Sequence, residues 1–315
     1  MKVVALAGGV GGAKLVDGLS SCLPAEDLTV IVNTGDDFDH LGLRVCPDID
    51  TVCYTLAGLA NSTTGWGRQD ESWNFMESLE RLGGPTWFRL GDRDLATHIE
   101  RTRRLREGEP LSQVVRDFCR CWGVQNAILP MSDDLVSTLV YTDEGPLPFQ
   151  EYFVRRQFQP GVRGFCFQGV EEATPAPGVI TALAEANLVV ICPSNPWVSI
   201  DPILAVPGIR EAIAERRVVA VSPLIGGRAV KGPAAKMYAE MGIQPSALAV
   251  AQHYLGLLTG MVIDQADQNL QEAIRAENIQ TLATNILMSS PSNRQRLAEN
   301  LLEFCVREII KDAMT

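Results

Sequence analysis

The stretch KVVALAGGVGGAKLVDGLSSCL, from Lys2 to Leu23, with LTVIVN from Leu28 to Asn33 close behind it, decides the fold. KVVALA is a continuous apolar run of strand length, as a strand buried on both faces requires. The glycine cluster turns the chain, and Leu15, Leu19 and Cys22 then recur at helical spacing. LTVIVN supplies a second buried strand. Strand, glycine turn, helix, strand is the unit of a parallel, doubly wound sheet.

Similar strands recur downstream as NAILP (Asn126 to Pro130), NLVVICP (Asn187 to Pro193) and RVVAVSP (Arg217 to Pro223). The last two end at proline, which cannot donate to a ladder. GVITALAEA and PGIREAIAERR read as helices beside them, with Pro207 suited to a first helical turn. From about 66 to 122 the pattern changes to helix-like patches rich in Arg and Glu, without a convincing strand, which predicts a helical cap inserted over the sheet. After about 231 come the helices PAAKMYAEMG and SALAVAQHYLGLL, a short strand GMVID, and a closing amphipathic helix from about Ser292 to Ile310. With no internal repeat and no linker, the expectation is a single α/β domain over 1–315: three layers around a doubly wound, mostly parallel, Rossmann-like sheet.

Composition bounds the partners. A hydrophobic share of 46% and a charged share of 21% belong to a folded chain with a sizeable core. The net charge of −11 argues against nucleic acid or an anionic membrane as the main partner, because both reward a basic face. No apolar run reaches the roughly 18 residues of a membrane helix, and the N-terminus has no leader pattern. The eight cysteines are scattered, and only Cys119-Arg-Cys121 lie close, without a second pair at zinc-ligand spacing. Reduced thiols in a cytoplasm are the expectation.

Four constellations could carry chemistry. Gly8, Gly9, Gly11 and Gly12, followed by Lys14, sit between strand and helix, where backbone amides and a helix N-terminus can cradle phosphate. The spacing is neither a strict dinucleotide fingerprint nor a Walker A loop. The plain alternative is a turn that packs helix on strand. The acidic loop NTGDDFDHLGLRVCPDID puts Asp36 and Asp37 at a strand's carboxyl edge, with Asp48 and Asp50 before a helix. Such hard oxygen ligands suit Mg²⁺, although Asp50 could instead cap its helix and Asp36-Asp37 could form a solvated turn. In TWFRLGDRDLATH, Arg89 and Arg93 alternate with Asp92 and Asp94 ahead of His98, able to orient anions or to make a surface ion-pair cluster. Finally, Ser194-Asn195 and Ser222, with Gly226-Gly227, follow buried strands and offer a floor for a nucleotide or simply close turns. The spacings of common hydrolases are absent.

GGVGGAKL, NTGDD, CPDIDTVCYTLAG, GWG, WFRLGDRDLATH, PMSDD, FQEYFVRR, PSNPWVSIDPIL, PGIRE and VSPLIGG…KGPAAKM occur in this order. Together they resemble the 2-phospho-L-lactate transferases and their bacterial phosphoenolpyruvate-transferring relatives, from Met1 to about Asp267; the remaining residues resemble them loosely. The resemblance implies an α/β/α core with a helical subdomain, a homodimer, and action with Mg²⁺. It implies a donor in which a phospho-acid is joined through a diphosphate to guanosine, supplied by a separate guanylyltransferase. The implied acceptor is the deazariboflavin Fo, whose ribityl hydroxyl attacks phosphorus and releases GMP in coenzyme F-420 biosynthesis. Fo-binding positions correspond to Asp50 and Arg89; some members carry Lys at the latter, which is no equivalent of a planar fork. GWGRQDESWN is closer to bacterial members and tilts the donor towards the enolpyruvyl form. In this reading Asp36, Asp37, Asp48 and Asp50 supply metal ligands, Asp50 also faces the hydroxyl, Arg89 and Arg93 steady anions, and the glycine, Ser194-Asn195 and Ser222–Gly227 loops hold the nucleotide. The competing expectation is a non-catalytic nucleotide-sugar-binding regulator of the same architecture, against which GWG and WFRLGDRDLATH count.

Overall fold

Every residue of Val3–Ala7 is buried, as a strand covered on both faces must be. In the computed structural model, which describes residues 1–310, it is an inner strand of a seven-stranded sheet. In chain order the strands are β1 (Val3–Ala7), β2 (Leu28–Val32), β3 (Ala127–Pro130), β4 (Leu188–Ile191), β5 (Val218–Val221), β6 (Gly260–Asp264) and β7 (Gln280–Thr284). Across the sheet they run β7-β6-β5-β4-β1-β2-β3, and every pairing is parallel. Val3 pairs with Leu28 on one side and Leu188 on the other, so the winding reverses between β1 and β4. The crevice beyond the carboxyl ends of these strands is the topological switch point, where doubly wound folds bind ligands.

Alternation along β1 builds the three layers. Val4 and Leu6 enter one core, with Ile31, Val189 and Tyr238. Val3, Ala5 and Ala7 enter the other, with Val30, Leu15, Ile49 and Leu301. Helix α1 (Gly9–Cys22) packs between α2 (Pro47–Leu56) and the closing helix Pro291–Phe304. The last approach is close: a Cβ on Gly18 would stand 2.3 Å from the Arg294 carbonyl oxygen. Between β2 and β3 lie α3 (Asn74–Arg81), α4 (Asp92–Arg106) and α5 (Leu111–Cys121), a helical stretch over one edge.

Some elements differ from the expectation. Strand β7 is one: QTLAT is short, half-polar and at the sheet's edge, so it lacks the apolar run of the other strands. An antiparallel ladder of Ser137–Thr142 with Gly145–Pro148 and Val162–Gln168 is another. Prolines and a half-exposed pattern hide it, yet it braces the acidic loop, with Thr138 N donating to the Gly35 carbonyl at 2.7 Å. Pro207 precedes the left-handed Gly208, and its helix begins at Ile209 rather than at the proline. Among the described residues no helix is long and apolar enough to cross a membrane.

Candidate active site

At the switch point the glycine loop is stitched to its neighbours. Gly8 N donates to Ser194 Oγ at 3.1 Å, and that hydroxyl donates to the Gly8 carbonyl at 2.7 Å, tying the end of β1 to the end of β4. Gly9 N donates to Asp48 Oδ1 at 2.7 Å, while Asn33 Nδ2 donates to Asp48 Oδ2 at 3.0 Å and to the Val198 carbonyl at 3.2 Å. A Cβ on Gly8 would meet Asp48 Oδ2 at 2.6 Å, and one on Gly11 would meet the Pro193 carbonyl at 2.5 Å. The glycines are therefore required by close packing. The amides of Val10 and Gly11 follow in the first helical turn, where no intrahelical acceptor exists. Half-buried Lys14 stands beyond them, its pKa lowered by burial and then by Arg294 and Lys231.

The acidic loop behaves differently. Asp36 and Asp37 are 5% and 3% exposed, which rules out a solvated turn. Asp36 Oδ1 and both carboxylate oxygens of Asp37 are buried without a hydrogen-bond partner. Burial, then the charges of Asp48 and Asp37, pushes Asp36 well above the usual carboxylate range. Burial carries Asp37 to about 7 against the pull of Arg44. It carries Asp48 to about 6 despite the hydrogen bonds from Asn33 and Gly9. Buried carboxylates in want of a partner are a site for a cation or for donor groups of a ligand. The donors are all oxygen, and so they fit a hard cation.

Asp50 does not cap α2, whose N-cap position is Cys46. Its carboxylate turns into a buried polar seam between α2 and α4. Arg101 holds both oxygens, with Nη1 donating to Oδ2 at 3.1 Å and Nη2 donating to Oδ1. Burial raises the Asp50 carboxyl, and Arg101 opposes that rise; arginine stays protonated in proteins, so the pair is ionic. His98 lies between two acids, Nδ1 at 3.7 Å from Asp50 and Nε2 at 3.4 Å from Asp94. Tyr54 donates to Asp94 at 2.7 Å and stands 2.8 Å from the Thr97 hydroxyl. Ligand atoms of Asp50, Asp94 and His98 converge within 4.8 Å. A cation there would face the Arg101 guanidinium, while among the described residues Asp36, Asp37 and Asp48 do not converge as such a set. The sequence reading missed Arg101, Asn33 and Tyr54. The signal was Asp94, His98 and Arg101 at helical spacing on a face that an ordinary cap would fill with apolar residues.

The remaining candidates divide. Arg89 is exposed and stacks over Trp73, 4.1 Å from its ring centre. Arg93 is also exposed, 4.0 Å from Asp70. Asp92 accepts from the Ser72 hydroxyl at 2.6 Å and the Phe75 amide at 3.0 Å, capping α3 and lowering its pKa to about 2, first through Ser72. Glu71 accepts from the amides of Arg93 and Asp94 and so caps α4. Asn195 Oδ1 accepts from Trp197 N at 3.1 Å, and Ser222 Oγ donates to the Leu224 carbonyl at 2.9 Å, so both close their own turns. Gly226 N donates to Asp267, and Gly227 has a positive φ of 73°. Cys119 is buried against Cys53 while Cys121 is exposed, and the two do not form a ligand pair.

A doubly wound parallel sheet with buried, acidic side chains at its switch point defines an α/β scaffold of the class that binds ligands beyond its strand ends. A family model described as 2-phospho-L-lactate transferase CofD matches residues 3–302, and the chain belongs to that family. The phosphoenolpyruvate transferase of Streptomyces griseus subsp. griseus is 46% identical over 311 residues, covering 96% of this chain and 98% of that one. The phosphoenolpyruvate transferase of Mycobacterium sp. (strain KMS) is 40% identical, covering 93% and 95%. A crystal structure of a upf0052 family member from Bacillus halodurans shares the fold with a TM-score of 0.61 at 15% identity, covering 96% of this chain and 98% of that one.

Proposed function

We propose that this transferase moves an enolpyruvyl phosphate group from a guanosine-diphosphate-linked donor to the terminal ribityl hydroxyl of the deazariboflavin Fo. The hydroxyl oxygen bonds to the phosphorus that carries the acid, the bond from that phosphorus to the bridging oxygen breaks, and GMP leaves with that oxygen. The relatives named phosphoenolpyruvate transferase favour the enolpyruvyl over the lactyl donor. The observation that carries the reading is the set of buried carboxylate oxygens without a hydrogen-bond partner, Oδ1 of Asp36 and both of Asp37, at the switch point.

Asp36 and Asp37, with Asp48 beside them, would hold Mg²⁺. That ion supplies neutralisation of the diphosphate's charge. The chain's own residues do the rest. The Val10 and Gly11 amides and Lys14 face donor oxygens, since Gly8 and Gly9 are already bonded within the protein. Asp50, at the junction of the crevice and the cap, accepts the hydroxyl proton or orients the hydroxyl. Arg89 and Arg93 steady the acceptor side. Chemistry of this kind needs positioning and electrostatics more than a covalent nucleophile.

The test supplies purified protein with Mg²⁺, Fo, GTP, the separate guanylyltransferase, and equal phosphoenolpyruvate, phospholactate and phosphoglycerate. Mass spectrometry should find one Fo phosphodiester, that of enolpyruvate, which disappears when Mg²⁺ is chelated. No Fo conjugate in a mixture that contains the guanylylated donors would overturn the reading in favour of a nucleotide-binding regulator.

A further inference from the structure

The interface between α2 and α4 could have been apolar, and instead it is lined by buried polar groups, with His98 Nε2 3.4 Å from Asp94 and without a hydrogen-bond partner. Tyr54, Asp94, His98, Arg101 and Asp50 are each at least 90% buried, and they lie on facing sides of two helices. On α4 the series Asp94, Thr97, His98, Arg101 and Thr102 keeps helical spacing and is wholly buried. Buried ion pairs are weak devices for stability, since well-packed apolar residues of similar volume do as well or better. A five-residue seam of them calls for another account. Its far end is tied down by the Tyr54 hydroxyl on Asp94, and its near end is the two-pronged grip of Arg101 on Asp50. Arg101 Nη1 also reaches the Arg44 carbonyl, in the short antiparallel pair Phe38–His40 with Leu43–Val45, and His98 Nδ1, both at 3.3 Å, so the guanidinium is held by that pair and by the histidine at once.

We propose that Arg101 and His98 are positioning residues: they lock the Asp50 carboxylate in one rotamer at the mouth of the crevice, with Asp94 and Tyr54 anchoring the lock from behind. This rests on the transferase reading given above, in which Asp50 meets the acceptor hydroxyl. Asp50 is then held through both of its oxygens, and the residue stays 6% exposed. The arrangement explains why α4 carries Asp, His and Arg on its inner face, while the neighbouring α5 joins the sheet's apolar core through Leu111, Val115 and Cys119.

The experiment measures kcat and KM for Fo, by mass spectrometry of the Fo phosphodiester, in the Mg²⁺ system with guanylyltransferase, GTP and phosphoenolpyruvate. The variants are His98→Asn, Arg101→Lys and Tyr54→Phe, each alone and His98→Asn also combined with Asp50→Asn. Loss of an orienting contact behind a reacting group costs about 10- to 100-fold in activity. His98→Asn and Arg101→Lys should lose that much in kcat with KM for Fo unchanged, and Tyr54→Phe should lose less. Groups that act through one residue are non-additive, so Asp50→Asn/His98→Asn should turn over as Asp50→Asn does. Three results overturn the proposal. One is wild-type kcat in His98→Asn and Tyr54→Phe, which removes the lock even if Arg101→Lys fails to fold. Another is a loss that multiplies with Asp50→Asn and follows the melting temperature, which leaves only a structural seam. The third is a wild type inert towards Fo in a mixture containing the guanylylated donor, which removes the transferase reading and this role with it.

Discussion

The glycine loop and the acidic loop leave adjacent parallel strands at the same edge of the sheet, and they have opposite character. In the first, the polar groups of Gly8 and Gly9 are matched within the protein, and the absent side chains make room for Ser199, Pro193 and Ser194. In the second, Asp36 Oδ1 and both oxygens of Asp37 are buried and lack partners. The glycine-rich stretch looks like the ligand site in sequence, but most of it is assembly hardware. The unmet demand, which only something added to the chain can meet, lies in the aspartates. On the proposed function, stability and activity are divided between neighbouring turns, and substitutions should separate them.

The largest expected effect is on turnover. Asp50→Asn keeps the shape of the side chain and removes the charge, which leaves the buried Arg101 guanidinium without its counter-charge at a cost of about 3–5 kcal/mol. At a temperature where circular dichroism shows the variant folded, turnover should fall by about 10²- to 10³-fold, the range seen when a preorganised electrostatic group is lost. Single-turnover formation of the Fo phosphodiester measures it. An active, metal-dependent Asp50→Asn protein would remove Asp50 from the reaction. Gly11→Ala should do the reverse. Its Cβ would overlap the Pro193 carbonyl, a backbone atom that cannot swing aside, and overpacking of this kind costs about 1–3 kcal/mol. Chemical denaturation should show that loss. Unchanged stability in Gly11→Ala would break the contrast, because the glycines would then be available to a ligand rather than needed for packing.

How far the sequence could be read follows the same division. The continuous apolar strands announce themselves, because burial on both faces leaves no room for polar residues. β7 and the Ser137–Gln168 ladder do not, since their half-exposed patterns match loops as well as strands. In the site, aspartates at a strand end point to the crevice by position alone. The partner of Asp50 could not be read in this way. Arg101 lies 51 residues further on, on another helix, and a charged residue on a charged helix is unremarkable until the packing shows that it faces inwards. The GDRD segment misleads for a similar reason: Asp92 caps α3, which precedes it, while Asp94 enters the seam.

An intermediate effect is on the pH dependence of stability. The folded pKa of Asp37 is raised to about 7, whereas an unfolded aspartate titrates near 4. Between those values the folded protein keeps a proton that the unfolded chain has released. Stability is therefore greatest below about pH 4 with respect to this group and falls as pH rises towards 7, by up to about 1.4 kcal/mol per unit. Melting temperatures from pH 5 to 8 should decline in the wild type without metal, and Asp37→Asn should flatten the decline and melt higher at pH 8. Mg²⁺ at 100 times its dissociation constant should add about 2.7 kcal/mol to the wild type. That gain should be larger at pH 8 than at pH 5 and smaller in Asp37→Asn. A melting temperature that rises with pH would mean that the aspartates are matched by groups of the protein itself.

The smallest effect belongs to Arg89, the member of the candidate site that stands furthest from both loops in character. Its guanidinium is exposed and lies flat over Trp73, an arrangement worth about 0.5–1 kcal/mol at a surface. It has no role in holding Asp50, which Arg101 performs, and none in closing the glycine loop. If it steadies Fo from the cap, Arg89→Ala should raise KM for Fo by roughly three- to five-fold, the equivalent of that energy, with kcat unchanged. Arg89→Lys tests the stacking in particular, since an ammonium keeps the charge and loses the planar fork. A lysine variant matching wild type would assign the contribution to charge alone, and its KM should then climb with added salt. A fall in kcat on Arg89→Ala would break the comparison at its outer edge, because Arg89 would then take part in the chemical step that the proposed function assigns to the acidic loop and Asp50.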